Sequence, residues 1–257
     1  MKIMKKISAL LLALLCLLTF TGTVYGADGV VHWYVKNNKE HKRPALEGDL
    51  TVINGHNAAY IGPDEKVIYL TFDAGYENGN VEKILDILKK HDVKGAFFIL
   101  ENIVVRNTDL VKRMADEGHL VCNHTAKHKN MSLINDREAF KAELEALERI
   151  YTEYTGNTLA KYYRPPEGSF SECNLTYADE MGYSTVLWSF AYADWDNNKQ
   201  PDTEKSLEKI MAHIHNGEIM LLHPTSATNA AILDELITRL KAEGYRFGTL
   251  DELKCGQ

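Results

Sequence analysis

The stretch "KVIYLTFDAGYENGNVEKILDILKKHDVKGAFFIL", residues 66–100, decides how the rest of the chain is read. "KVIYLTFD" is a β-rich run that ends in an acid, Asp73. In "NVEKILDILKKHD" the apolar residues Val81, Ile84, Leu85, Ile87 and Leu88 fall at helical spacing. "KGAFFIL" is a second buried-strand run. Strand, helix and strand in this order predict parallel strands joined by a crossover helix.

The same alternation continues to the C-terminus. "TDLVKRMADEG" reads as a helix with a threonine cap and a terminal glycine, and "HLVCNH" as the next strand. "NDREAFKAELEALERIYTEYTG" is a long amphipathic helix closed by Gly156, and "KYYRPP" a short strand stopped by Pro165 and Pro166. "STVLWSF", "SLEKIMAHI", "EIMLLH" and "NAAILDELITRLKAEG" add strand, helix, strand and helix, and "YRFGTLDEL" a last short strand and turn. An α/β fold closed, or nearly closed, as a β/α barrel fits this pattern better than an open sheet. A dinucleotide fold has no support, because no GxGxxG follows the first strand.

Upstream, Lys2, Lys5 and Lys6 precede the apolar run Ile7 to Phe20, and small residues follow, placing cleavage before Ala27. Residues 1–26 therefore read as a secretory signal, with an uncleaved anchor as the alternative, so the mature protein is expected to be secreted or extracytoplasmic. Residues 27–65 are irregular and read as a strap packed along the domain, which spans 66–257. Of the cysteines beyond the leader, Cys122, Cys173 and Cys255, at least one is unpaired, and the absence of a CxxC excludes the common structural zinc patterns. Cys122 reads as a buried small hydrophobe. The net charge of −7 argues against nucleic acid as a partner.

Reactive residues stand where strands finish: Asp73, His124, Arg164, Asp194 and His223. Strand ends form the active face of β/α barrels, so these five would converge in one cleft. His124 and His128, four apart, can aim both rings at one point and would serve as metal ligands. A carboxylate ending a buried strand, as Asp73 does, is costly unless paired or functional. Arg164 and Asp194 could form a pair that tunes that carboxylate, or a purely structural ion pair. His223 leaves a buried strand and suits a general acid. With no GxSxG elbow and no activated cysteine, the set suggests attack of water on a carbonyl.

"TFDAG", "HTAKH", "RPPEG", "YADWD" and "LLH" occur in the order of the five motifs of the polysaccharide deacetylases, the NodB-homology proteins of carbohydrate esterase family four, which the chain resembles over roughly residues 66–253. "IYLTFDAGYENGN" and "RPPEGSFSE" are similar to the δ-lactam-biosynthetic branch acting on spore cortex peptidoglycan. The resemblance implies a distorted (β/α)7 barrel and metal-dependent deacetylation of N-acetylmuramic acid, with muramic δ-lactam formed later; N-acetylglucosamine of peptidoglycan or chitin oligomers is the alternative substrate. It implies Asp73 as catalytic base, His124 and His128 as ligands of a divalent metal such as zinc, and His223 as general acid. It implies Arg164 as the arginine orienting the base, with Asp194 as its carboxylate partner. It further implies the Glu167 N–H as oxyanion donor, Leu221 in the acetyl pocket and Trp195 as a cleft wall. Peptidoglycan strands are the expected partner, met by a monomer without an organic cofactor.

Ala74 departs from the family pattern, which has a second, metal-binding acid there. Two histidines plus waters, recruitment of another acid such as Glu77, or histidines acting without a tightly held metal remain open, and weak metal binding is the favoured expectation. A non-catalytic glycan-binding relative is the reading from a different class.

Overall fold

The computed structural model describes residues 29–36 and 39–253. The expected leader at 1–26 and Cys255 lie outside the described residues. Among those residues no helix is long and apolar enough to cross a membrane.

The elements run β1 (Val31–His32), β2 (Ala58–Ala59), β3 (Val67–Ala74), α1 (Val81–His91), β4 (Ala96–Ile99), α2 (Glu101–Arg106), α3 (Thr108–Asp116), β5 (Leu120–Asn123), α4 (Arg137–Thr155) and β6 (Ala160–Tyr163). They continue with β7 (Ser169–Phe170), α5 (Glu172–Glu180), β8 (Ser184–Val186), α6 (Thr203–His213), β9 (Glu218–Leu222), α7 (Ala227–Ala242) and β10 (Arg246–Phe247). The principal sheet is parallel, with β3 central: it pairs with β4, β9 and β10, and β4, β5, β6, β8 and β2 follow in turn. Beyond β8 the chain makes a single parallel bridge, Phe190 to Met220 of β9, which brings the two ends of the curled sheet together. The result is an α/β fold of the distorted β/α barrel type.

The two-residue period of β3 sorts its side chains between two cores. Ile68, Leu70, Phe72 and Ala74 join the cluster under the helices, with Ile84, Leu85 and Leu88 of α1. Val67 and Tyr69 face the barrel interior with Phe98, Cys122, Val186 and Ile219. Thr71 and Asp73 continue that inner face toward the C-terminal mouth. Cys122 is fully buried and its thiol is pushed far up by desolvation, as an inert core residue should be.

Helix ends follow local chemistry. The Asp136 carboxylate accepts the Ala139 N–H at the start of α4, and Gly156, at φ 78°, ends it. The threonine cap expected at Thr108 is not formed: Asn107 holds the cap position, and the Thr108 hydroxyl donates to the Val104 carbonyl at 2.7 Å, across the break between α2 and α3. Two short strands of the strap pair with the rest of the fold. β2 lies parallel to β8, and β1 lies antiparallel to β7.

Candidate active site

Asp73, His124, Glu167, Trp195, Leu221 and His223 all line one cleft of about 780 Å³ at the C-terminal mouth of the barrel. They gather there from the ends of β3, β5, β6, β8 and β9, with Leu221 and His223 both supplied by β9.

Asp73 Oδ1 accepts a 2.8 Å bond from Arg164 Nη1. The guanidinium is wholly buried and spends its other donors on the Val186 carbonyl (2.9 Å), the Thr71 hydroxyl (2.9 Å) and the Leu187 carbonyl (3.2 Å). It also lies over the Phe98 ring at 4.1 Å. Arg164 is thus fixed from every side and presents one N–H to the carboxylate. Desolvation alone would raise the Asp73 pKa, but its electrostatic coupling to His124, Arg164 and His223 and the Arg164 hydrogen bond outweigh burial and hold it below the ordinary value. Of these, Arg164 is the permanent charge.

The expected pairing of Arg164 with Asp194 is corrected. Asp194 belongs to His223: its Oδ1 meets His223 Nδ1 at 2.7 Å and its Oδ2 accepts the His223 backbone N–H at 2.9 Å. The amide of Asn229 donates to the same Oδ2 at 2.6 Å and to the His223 carbonyl at 3.0 Å. The exchange of partners has a plain cause: the Arg164 guanidinium is taken up by Asp73 and Thr71 of β3 and by the Val186 and Leu187 carbonyls, whereas the chain after β8 bridges to β9 and carries Asp194 to His223. Asn229, buried in the first turn of α7, was not singled out from the sequence; an amide inside a helix gives no signal until its partner is known.

Burial would lower the His223 pKa, yet the Asp194 hydrogen bond and the negative charges of Asp194 and Asp73 raise it above the ordinary imidazole value. With Nδ1 held by Asp194, His223 faces the cleft through Nε2. The Trp195 ring lies edge-on to it, centroids 6.1 Å apart, and buried Leu221 lies two residues before it.

His124 and His128 lie not on a helical turn but on a tight loop after β5, with Thr125 (φ 70°) and His128 (φ 55°) left-handed. His124 Nδ1 meets the Arg164 carbonyl at 2.8 Å, which makes Nδ1 the protonated nitrogen and leaves the Nε2 lone pair free. Burial drives its pKa down to about 4, so the ring is neutral at pH 7, the form a metal ligand requires. His128 is exposed, with its ring centroid 5.0 Å from that of His124. His124 Nε2 is 3.5 Å from Asp73 Oδ2. Among the described residues no three His, Cys, Asp or Glu side chains converge as a ready metal cage. Ala74 faces the outer core and offers nothing to the cleft, and Glu77 lines a separate surface hollow with Glu82 and Arg106. The donor set fits an ion held through two imidazoles beside Asp73.

Glu167 is left-handed at φ 59° and Gly168 follows at φ 63°. Such turns gather peptide N–H groups into an anion-binding concavity. Gly168 is required there: a Cβ would fall 2.7 Å from Trp188 and 3.0 Å from Trp33.

The polysaccharide deacetylase family matches residues 61–186. The chain is 40% identical over 225 residues to the peptidoglycan-N-acetylmuramic acid deacetylase PdaA of Bacillus subtilis, covering 87% of this chain and 85% of that protein. The solved structure of Bacillus subtilis PdaA, a family 4 carbohydrate esterase, superposes with a TM-score of 0.84 at 39% identity, over 88% of this chain and 97% of the other. A family 4 pseudoenzyme from Bacillus anthracis is also similar, with a TM-score of 0.70 at 32% identity over 76% of this chain and 68% of its own. The chain belongs to the polysaccharide deacetylases of carbohydrate esterase family 4, metal-dependent hydrolases of the N-acetyl amide bonds of glycans.

Proposed function

We propose that this protein removes the acetyl group from N-acetylmuramic acid in peptidoglycan, outside the cytoplasm, as a step toward muramic δ-lactam in spore cortex. One observation carries the catalytic part: two ion-paired groups of opposite duty, Asp73 with Arg164 and His223 with Asp194, face each other across one cleft.

The chain's own groups suffice to describe the proton movements. Ionised Asp73 accepts a proton from water as the oxygen attacks the acetamido carbonyl carbon. The carbonyl oxygen becomes an oxyanion and is met by the Glu167 N–H. Imidazolium His223 then gives its proton to the sugar nitrogen, the C–N bond breaks, and acetate and a free amine leave. Arg164 keeps Asp73 ionised and oriented, and Asp194 keeps His223 charged. Leu221 presents an apolar wall to the acetyl methyl, and Trp195 bounds the sugar. A divalent ion such as zinc, held by His124 and His128, would add Lewis-acid polarisation of the carbonyl; without an acid at position 74, weak retention is expected.

The substrate reading is supported by the 40% identity with the muramic acid deacetylase. Ala74 favours one rival, an inactive glycan-binding relative, but a decayed site would seldom keep Asp73, Arg164, Asp194 and His223 in bonded register. The test is mass spectrometry and acetate release with defined glycan strands, with and without stem peptides. Acetate from peptide-free muramic residues is the expected result. Acetate from glucosamine residues alone would move the assignment to that sugar, and binding without release would leave the inactive reading.

A further inference from the structure

We propose, resting on the glycan-deacetylase reading, that the N-terminal strap builds a second sugar subsite in which the exposed ring of Tyr34 stacks on the pyranose next to the reacting residue of the same strand. Beside the catalytic cleft lies a hollow of about 250 Å³, an opening on the scale of one hexosamine ring. Trp188, Ala191, Tyr192 and Trp195 line both, so the two are continuous. The strap supplies the outer wall through Tyr34 and Val35.

Tyr34 is 54% exposed and Trp195 61%, large aromatic faces left to water on either side of this opening. Exposed aromatics at a functional cleft mark a surface that meets a ligand. The wall residues are aromatic or aliphatic, and none among the described residues lining the hollow carries a charge. That composition suits the apolar C–H face of a neutral pyranose and offers nothing to the carboxylates of a stem peptide.

The strap is held rigidly where this subsite needs it. β1 pairs with β7 through Val31–Phe170 and His32–Ser169. The Trp33 N–H donates to the Gly168 carbonyl at 2.8 Å, and its indole Nε1 donates to the Trp188 carbonyl at 2.9 Å. Tyr34 therefore leaves a backbone tied directly to the Glu167–Gly168 turn, where the acetyl oxygen is to be received. A sugar on Tyr34 and a sugar at Asp73 are then in fixed relation, and a pre-ordered wall binds without the cost of ordering itself.

The test is calorimetric titration of the mature chain with a peptide-free peptidoglycan disaccharide and hexasaccharide, with acetate release measured in parallel. The wild type is expected to bind the hexasaccharide more tightly. Tyr34→Ala is expected to shrink the hexasaccharide-to-disaccharide affinity ratio by about tenfold, the scale of one lost aromatic contact. Tyr34→Phe, which keeps the ring, should hold that ratio within about twofold. Tyr34→Leu, which keeps apolar area without a flat face, should fall with the alanine variant. A ratio unchanged in Tyr34→Ala and Tyr34→Leu, or no length advantage in the wild type, overturns the subsite. Tyr34-dependent strand binding without acetate release from any strand would leave the subsite standing and sink the deacetylase reading instead.

Discussion

Two histidine–carboxylate pairs lie at opposite ends of β9, and they behave in opposite ways. At the C-terminal end His223 meets Asp194 at 2.7 Å. At the N-terminal end His215 Nδ1 is 3.1 Å from Glu218 Oε2, and His215 Nε2 is 2.9 Å from Ser189 Oγ. The lower set has the connectivity of a serine hydrolase relay, but Ser189, His215 and Glu218 are 1%, 3% and 0% exposed, and Ser189 Oγ also accepts the Ile219 N–H at 3.0 Å. Nothing can reach it. Charge differs as well. Three donors converge on Asp194, and its pair raises the His223 pKa. Glu218 Oε1 has no protein partner, desolvation holds its carboxyl well above the usual range, and burial lowers the His215 pKa. The same two residue types give an imidazole whose charge is favoured facing a cleft in one place, and a packed pair whose charges burial disfavours in the other. What separates them is the number of donors on the carboxylate and an opening to substrate.

The largest effects are expected at the upper end. Asp73→Asn keeps shape and removes the base, and acetate release should fall about 10²–10⁴-fold, with His223→Ala losing a similar factor. The pH profile should be bell-shaped. Asp73 titrates below the ordinary carboxylate value, so the acid limb falls only once pH drops through that depressed pKa. His223 titrates above the ordinary imidazole value, so the rate falls as pH rises through that raised pKa. His223→Ala should lose the alkaline limb. An alanine variant with near-normal rate and an intact limb would end the assignment of His223 as the acid.

The comparison is sharpened by matched amide substitutions. Asp194→Asn removes the charge that supports the imidazolium and should cost about 10²-fold or more in rate, with the alkaline limb moving to lower pH. Glu218→Gln exchanges a carboxyl whose charge burial already disfavours for an amide of similar shape, and should leave the pH profile in place and move stability by only about 1 kcal/mol. A rate loss in Glu218→Gln as large as in Asp194→Asn would show that the buried pair is coupled to catalysis and that solvent access is not what distinguishes the two ends.

Arg164→Lys should lower the rate at least about tenfold, because an ammonium cannot reproduce the fixed fork. The buried acceptors at Thr71, Val186 and Leu187 would lose partners, so stability should fall with it, by about 1–3 kcal/mol for the worst-placed group. Thermal melts beside acetate release separate the two: a stability loss with full activity would make the Asp73–Arg164 pair structural.

Much of this was legible in the chain because parallel barrels put their chemistry at strand ends, and the runs ending at Asp73, His124, Arg164 and His223 are unmistakably strand-like. Partner choice is not legible, since it depends on which strands the curled sheet brings together; opposite charge and the family resemblance both match Arg164 with Asp194, and the fold gives each another partner. α5 was also missed. "ECNLTYADE" lacks a periodic apolar stripe, and its start is set by the capping box of Ser171 and Asn174. Ala74 was read as a gap in a metal site, which says what is missing but not where the methyl points.

That methyl gives the smallest expected effect and the most direct view of the metal. Ala74 is fully buried against the outer core, on the opposite face of β3 from Asp73. An aspartate there starts as a buried carboxylate, costly unless compensated. In metal-free buffer Ala74→Asp should therefore melt lower than the wild type. If the new carboxylate completes a site with His124 and His128, added zinc should raise the variant's Tm more than that of the wild type, because binding to the folded state alone stabilises it by mass action. Calorimetric titration should show tighter zinc binding in parallel. Should zinc move both proteins equally, position 74 does not control metal retention in this chain.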